Sequence, residues 1–237
     1  MSDDLKFRHP FSCIVCGRSG SGKSSFVIRF LQNLDYLCTE PTFAGGIVWC
    51  YGEKSAVPSR HQPPANVRYN EGVPKDFGST NGEPCLVILD NLLTDVYSKQ
   101  VCELFTRGSH HRSISVILIT QNHNHQGRFC RDISLNAHYT VALKNVRDKK
   151  QFMFLAGQVY PEDSIGLYIA YLDATQESYG YLLLDLTQST NDGLRFRTNI
   201  FPNDIPPLAV YSYVGDEACE INLSHSTGAE DGRPEIA

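Results

Sequence analysis

Two hydrophobic patterns alternate along the chain. Short, almost wholly apolar runs rich in β-branched and aromatic residues occur at 11–16, 47–51, 67–69, 85–89, 115–120 and 139–143, and such runs predict strands covered on both faces. Between them, apolar residues recur every three or four positions. Phe26, Val27, Phe30, Leu31 and Leu34 form one such stripe, and Val101, Leu104 and Phe105 form another; this period predicts helices with one buried face. In "DKKQFMFLAGQV", Asp148 precedes Gln151 by three positions, as in a capping box, and Phe152, Leu155, Ala156 and Val159 supply the stripe. A further helix is predicted over 165–172. Two late runs, 181–186 and 194–200, flank the turn-rich "TQSTNDG" and predict a hairpin. The proline-rich "VPSRHQPPANV" reads as a surface loop. The alternation predicts an α/β domain: a mainly parallel central sheet flanked by helices, with a C-terminal β-hairpin.

The first run, "FSCIVC", leads directly into "GRSGSGKSSF". Gly17, Gly22, Lys23 and Ser24 satisfy G-x-x-x-x-G-K-[ST] between a predicted strand and a predicted helix, the context this motif needs to bind phosphate. Polyphosphate is wrapped by backbone N–H groups, and glycine both admits the anion closely and adopts the required dihedral angles. The N-terminus of the following helix adds further N–H groups and the positive end of its dipole. Residues Gly17, Arg18, Ser19, Gly20, Ser21, Gly22, Lys23, Ser24 and Ser25 are therefore the expected nucleotide-binding loop. Within it, Lys23 is expected on the β and γ phosphates and the Ser24 hydroxyl on Mg²⁺.

A carboxylate for the metal is expected from a neighbouring strand. "CLVILDN" carries four apolar residues from Leu86 to Leu89 and ends on Asp90, at the strand edge where α/β sheets gather ligands. Asp90 is the expected metal carboxylate; the competing assignment is a turn cap. "SVILITQN" ends similarly on Thr120, Gln121 and Asn122, and Gln121 is a candidate for contacting the γ-phosphate or orienting a water. Between these runs, "FTRGSHHRSIS" offers Arg107 and Arg112. Either guanidinium suits the charge of a transferred phosphoryl group in a neighbouring subunit, a solvated basic face or a DNA contact. His110, His111, His123 and His125 lack a carboxylate or cysteine at zinc-ligand spacing, and Cys13 and Cys16 fall on opposite faces of the first strand.

Composition adds less. With 41% hydrophobic and 20% charged residues, the chain is an ordinary globular protein. Eight cysteines without framework spacing suit reduced thiols. The polar N-terminus does not read as a secretory signal, and no apolar run reaches the ~18 residues of a membrane span. An intracellular protein without a membrane partner is expected. The net charge of −5 is concentrated at the C-terminal end, where Asp216, Glu217, Glu220, Glu230, Asp231 and Glu235 face Arg233 alone. Residues 1–214 are thus expected to form the P-loop domain, and 215–237 an acidic, mobile tail.

These motifs resemble those of the FtsK–HerA superfamily of P-loop ATPases, and more narrowly the packaging ATPases of double-stranded DNA viruses and Maverick/Polinton elements. The resemblance is carried by "HPFSCIVCGRSGSGKSSFV", "LVILDNLL", "LFTRGSHHRSISVILITQN", "RDISLNAHYTVALKNVRDKKQ", and "YGYLLLDLTQST" with "LRFRTNIFP", spanning about residues 5–202. It implies a RecA-like (ASCE) fold with an added strand between the phosphate-loop strand and the Asp90 strand. It also implies a homo-oligomeric ring, usually a hexamer, that hydrolyses ATP between subunits and drives double-stranded DNA into a capsid. By position it makes Gln121 the sensor. A capsid or portal partner, and a place in the host nucleus, cytoplasm or virion, would follow. Candidate DNA-phosphate contacts are Lys144, Arg147, Lys149 and Lys150, Arg128 and Arg131, and Arg195 and Arg197, the last two on one strand face opposite Phe196.

One departure stands out. Relatives follow the metal aspartate with a second acid that polarises the attacking water, and here that position is Asn91. An amide is no carboxylate base. Turnover is therefore slow, or another acid such as Asp95 substitutes, or the chain binds ATP as a structural subunit without efficient hydrolysis. A P-loop kinase would call for an arginine-bearing lid and an acceptor pocket, neither identifiable, and the N-K-x-D segment of GTPases is missing.

Overall fold

The computed structural model describes residues 1–52, 66–74, 82–90, 92, 98–108, 113–121, 128–214 and 217–222. Their strands are β1 (Ser12–Cys16), β2 (Gly46–Tyr51), β3 (Val67–Glu71), β4 (Cys85–Asp90), β5 (Ile114–Thr120), β6 (Tyr139–Leu143), β7 (Tyr181–Asp185), β8 (Phe196–Thr198), β9 (Ala209–Val214) and β10 (Glu217–Asn222). They form one sheet in the order β10-β9-β8-β7-β6-β1-β5-β4-β2-β3. From β6 to β3 every pairing is parallel; from β10 to β6 every pairing is antiparallel.

The sheet alternates its side chains between two cores, as a period of two dictates. On one side, Cys13, Val15, Ile88, Ile119, Val141 and Leu183 pack against the apolar stripe of α1 (Lys23–Gln32) and against α2 (Leu34–Leu37). On the other, Ile14, Cys16, Leu89, Leu118, Ala142 and Leu182 meet residues of α3 (Lys99–Glu103), α4 (Arg128–Leu135), α5 (Lys149–Val159) and α6 (Ser164–Ala174). A π-helical turn, Leu104–Gly108, continues α3. The expected N-cap appears: the Asp148 carboxylate accepts from Gln151 N at 3.3 Å and starts α5, while Asp148 N donates to Asn145 Oδ1 at 3.1 Å. Cys13 and Cys16 lie in opposite cores.

The fold therefore matches the expected parallel α/β sheet. β5 lies between β1 and β4 as the added strand, and the 181–186 and 194–200 runs supply the antiparallel pair β7–β8. Elements not anticipated are α2, α4 and the antiparallel pair β9–β10. β10 falls within the segment 215–237, whose residues 223–237 lie outside the described ones. Among the described residues no helix is long and apolar enough to cross a membrane.

Arg195 and Arg197 require correction as candidate phosphate contacts. Arg197 is 1% exposed. Its Nη2 donates to Asp185 Oδ2 at 2.7 Å and its Nη1 to the Leu5 carbonyl at 2.7 Å. Arg195 lies outside β8, where its Nε pairs with Asp192 at 2.7 Å and its Nη1 donates to the Asp185 and Thr187 carbonyls. Both guanidiniums are used within the fold: Arg197 is the paired cation that the buried Asp185 carboxylate demands, while Arg195 ties the exposed Asp192 to two backbone carbonyls.

Candidate phosphate and metal site

Three strands end together at the C-terminal edge of the parallel sheet. Cys16 of β1 is in register with Thr120 of β5, and Asp90 of β4 with Ile119. Gly17 N donates to the Thr120 carbonyl at 3.2 Å, so the loop leaves β1 while still attached to its neighbour. It then folds tightly: Ser21 N donates to the Arg18 carbonyl at 3.0 Å, and Phe26 N to the Gly22 carbonyl at 2.8 Å begins α1.

The glycines have separate reasons. Gly20 and Gly22 sit at φ +79° and +96°, in the left-handed region that side chains disfavour. At Gly17 the constraint is space, since a Cβ would fall 2.6 Å from Ser21 Oγ and 3.0 Å from Leu143 Cβ. As N-cap of α1, Gly22 places no side-chain oxygen on the first-turn N–H groups, which leaves the dipole's positive end for an anion.

The functional side chains meet at this edge. Asp90 ends β4 on the α1 side of the sheet, and Ser24 Oγ donates to its Oδ2 at a long 3.5 Å. Asp90 is only 4% exposed. Burial pushes its carboxyl up to about 6, opposed first by the Lys23 ammonium and then by the Trp49 and Ser24 donors. The Trp49 indole N–H favours the carboxylate but completes no hydrogen bond of ordinary geometry. Lys23 Nζ donates to the Arg18 carbonyl at 2.9 Å. Burial lowers the Lys23 pKa, and the Asp90 carboxylate opposes it. Beneath the loop, burial pushes the Cys16 thiol up to about 12, so it stays neutral.

This donor set fits a magnesium polyphosphate. A hydroxyl and a carboxylate are hard oxygen ligands of the kind Mg²⁺ accepts while keeping several waters. The buried Ser21 Oγ has no hydrogen-bond partner among the described residues and packs against the Gly17 backbone inside the loop. Ser24 and Asp90 would hold the metal, and Lys23 with the 17–22 backbone would hold the phosphates.

The remaining predicted residues divide clearly. Arg18, Ser19 and Ser25 are exposed parts of the loop and its helix. Gln121 is exposed immediately after β5, at the same edge between β1 and β4. The backbone of Arg107 lies in the π-helical turn. Its side chain, together with Asn91, Arg112, Asp95 and the four histidines considered for zinc, lies outside the described residues.

Two residues at this edge were not singled out for the roles they play. Lys144, offered above as a DNA contact, donates through Nζ to the Gln176 and Glu177 carbonyls, and its N donates to the Gly180 carbonyl at 3.0 Å. This pins the 175–180 turn beside the phosphate loop. Tyr179, in that turn, reaches Gly22. Nothing in "TQESYG" distinguishes it from any other polar turn.

No protein-family model and no curated protein matches the chain. Among solved structures it is similar to the genome packaging NTPase B204 from Sulfolobus turreted icosahedral virus 2 in complex with sulfate. That similarity has a TM-score of 0.51 at 12% identity, covering 78% of this chain and 95% of that one. The same NTPase in complex with ATP-gammaS gives a TM-score of 0.49 at 12% identity, over 79% of this chain and 95% of that one. B204, the DNA-packaging ATPase from Sulfolobus turreted icosahedral virus, gives 0.48 at 12% identity, over 78% and 96%. At this identity the likeness concerns the fold: the chain has the fold of a P-loop ATPase, shared with that viral NTPase.

Proposed function

We propose that this chain is a Mg²⁺-dependent ATPase of the FtsK–HerA type, working as a homo-oligomeric ring that moves double-stranded DNA, as in genome packaging by viruses and Maverick/Polinton elements. One observation carries the reading: Ser24 and Asp90, 66 residues apart, approach to 3.5 Å beside a glycine loop that opens a helix. Ser24 and Asp90 would hold magnesium, which when bound would supply positive charge to offset that of the phosphates. Lys23 holds the β and γ phosphates as a cation already partly desolvated, which strengthens its attraction. Gln121, exposed just beyond the end of β5, is the proposed group that orients water or contacts the terminal phosphate. Arg107 or Arg112 of a neighbouring subunit is the proposed source of a guanidinium for the transferred phosphoryl group.

The DNA part of the proposal draws on charge at the same edge. Arg147, Lys149 and Lys150 are exposed around the start of α5, just beyond β6, and phosphate contacts of this kind give affinity without reading sequence. A hexameric ring, a capsid or portal partner and a site in the host nucleus, cytoplasm or virion belong to this proposal. Asn91 favours a second reading, in which the chain binds ATP with little turnover.

Phosphate release by the purified oligomer, with and without duplex DNA, separates the two. Release stimulated by DNA, lost in Lys23→Ala and equal or faster in Asn91→Asp, supports the motor. Tight ATP binding without release at any DNA concentration contradicts the motor and favours the second reading.

A further inference from the structure

We infer that Tyr179 is the platform on which the base of a bound nucleoside triphosphate stacks, an inference that rests on the nucleotide reading above. Tyr179 combines three properties that do not ordinarily coincide. The residue is 68% exposed. Its backbone sits at φ +65°, in the left-handed region that a bulky residue rarely enters. Its ring nevertheless lies against the phosphate loop, where a Cβ on Gly22 would meet Tyr179 Cδ1 at 3.0 Å.

The turn that carries the ring is held on several sides. Lys144 binds the Gln176, Glu177 and Gly180 carbonyls, Gly180 N donates to the Glu177 carbonyl at 3.2 Å, and Thr175 Oγ1 donates to the Tyr171 carbonyl at 2.6 Å. At Gly180 a Cβ would fall 2.6 Å from the Ala174 carbonyl oxygen, so the turn closes tightly on its helix. Such a frame holds an exposed aromatic residue in an unfavourable backbone conformation, and the strain gains little burial in return. Strained residues held by their surroundings cluster at ligand clamps.

The strand order gives the ring its ligand. β1 is flanked by β5 on one side, with Asp90 one strand further on β4, and by β6 and then β7 on the other. The metal ligands Ser24 and Asp90 fix the terminal-phosphate end of a bound triphosphate on the β5–β4 side. Its nucleoside end must then leave the loop on the β6–β7 side, where the turn leading into β7 presents Tyr179. A base has a flat π-face, and an aromatic side chain accepts it with little regard for sequence.

The test compares ATP with inorganic triphosphate, both with Mg²⁺, by calorimetric titration of the full chain. Tyr179→Asn removes the ring but tolerates the left-handed backbone, and Tyr179→Phe keeps the ring. Loss of a base–aromatic stack predicts a roughly 5- to 100-fold weaker ATP affinity in Tyr179→Asn. Triphosphate affinity should be unchanged in that variant, and Tyr179→Phe should bind both ligands like wild type. Equal ATP affinity in wild type and Tyr179→Asn overturns the inference and leaves the nucleotide site standing. So does an equal loss of ATP and triphosphate, which would assign Tyr179 to the shape of the loop. A wild-type chain that binds neither ligand overturns the nucleotide reading and this inference together.

Discussion

Two aspartates end strands of the same sheet, and both are buried, yet their surroundings are opposite. Asp185, closing β7, is 1% exposed and fully engaged. Arg197 Nη2 reaches it at 2.7 Å, Thr190 Oγ1 at 3.0 Å, Thr187 Oγ1 at 2.8 Å and Thr187 N at 3.1 Å. Asp90, closing β4, has Ser24 at 3.5 Å and an ammonium whose hydrogen bond goes to the Arg18 carbonyl. Burial unmatched by partners is why its carboxyl rises to about 6. The difference teaches which carboxylate the fold completes by itself and which it leaves for a ligand to complete. The antiparallel half of the sheet uses its buried charge to hold together; the parallel half presents its own at the edge.

The largest effect is expected from breaking the completed pair. Arg197→Met should destabilise the chain by about 3–5 kcal/mol, because it leaves Asp185 buried without a cation; urea denaturation measures it. Lys23→Ala should have the reverse profile. Nucleotide affinity should fall on the order of 100-fold, roughly 3 kcal/mol, while stability changes little; calorimetric binding and thermal melting together check this.

The third expectation concerns pH in the metal-free chain. The folded Asp90 pKa of about 6 lies above its ordinary value of 3.8, so the folded state holds more protons between these limits. Stability should therefore fall as pH rises from about 4 to about 6 and level off above, by at most roughly 3 kcal/mol. Asp90→Asn should remove this slope, read from urea midpoints at pH 4.5 and 7.5. The smallest effect is expected at Thr187→Val, which removes one of several partners of Asp185 and should cost about 1 kcal/mol in the same denaturation assay.

The glycine turn after β1 was legible in the sequence because its signal is local: eight consecutive positions specify both the turn and the lysine that opens α1. Asp90 was legible because an apolar strand broken by an acid is also a local signal. That β5 separates β1 from β4 followed from the resemblance and not from periodicity, which says that a strand exists but not which strand lies beside it. Arg197 was misread for the same reason. A cation alternating with Phe196 looks solvent-facing until a carboxylate 12 residues earlier folds against it. Tyr179 left no trace, since its position depends on Lys144 pinning a turn far along the chain. The pair β9–β10 was missed although "AVYSYV" is rich in β-branched and aromatic residues, because the stretch beyond it is acidic and polar.

The most direct test of the central claim is a crystal structure of the chain with Mg²⁺ and a non-hydrolysable ATP analogue. The account predicts the triphosphate inside the 17–22 backbone, with the metal between Ser24 Oγ and the Asp90 carboxylate. Nucleotide bound elsewhere, or a triphosphate in the loop with its metal distant from Asp90, would contradict it.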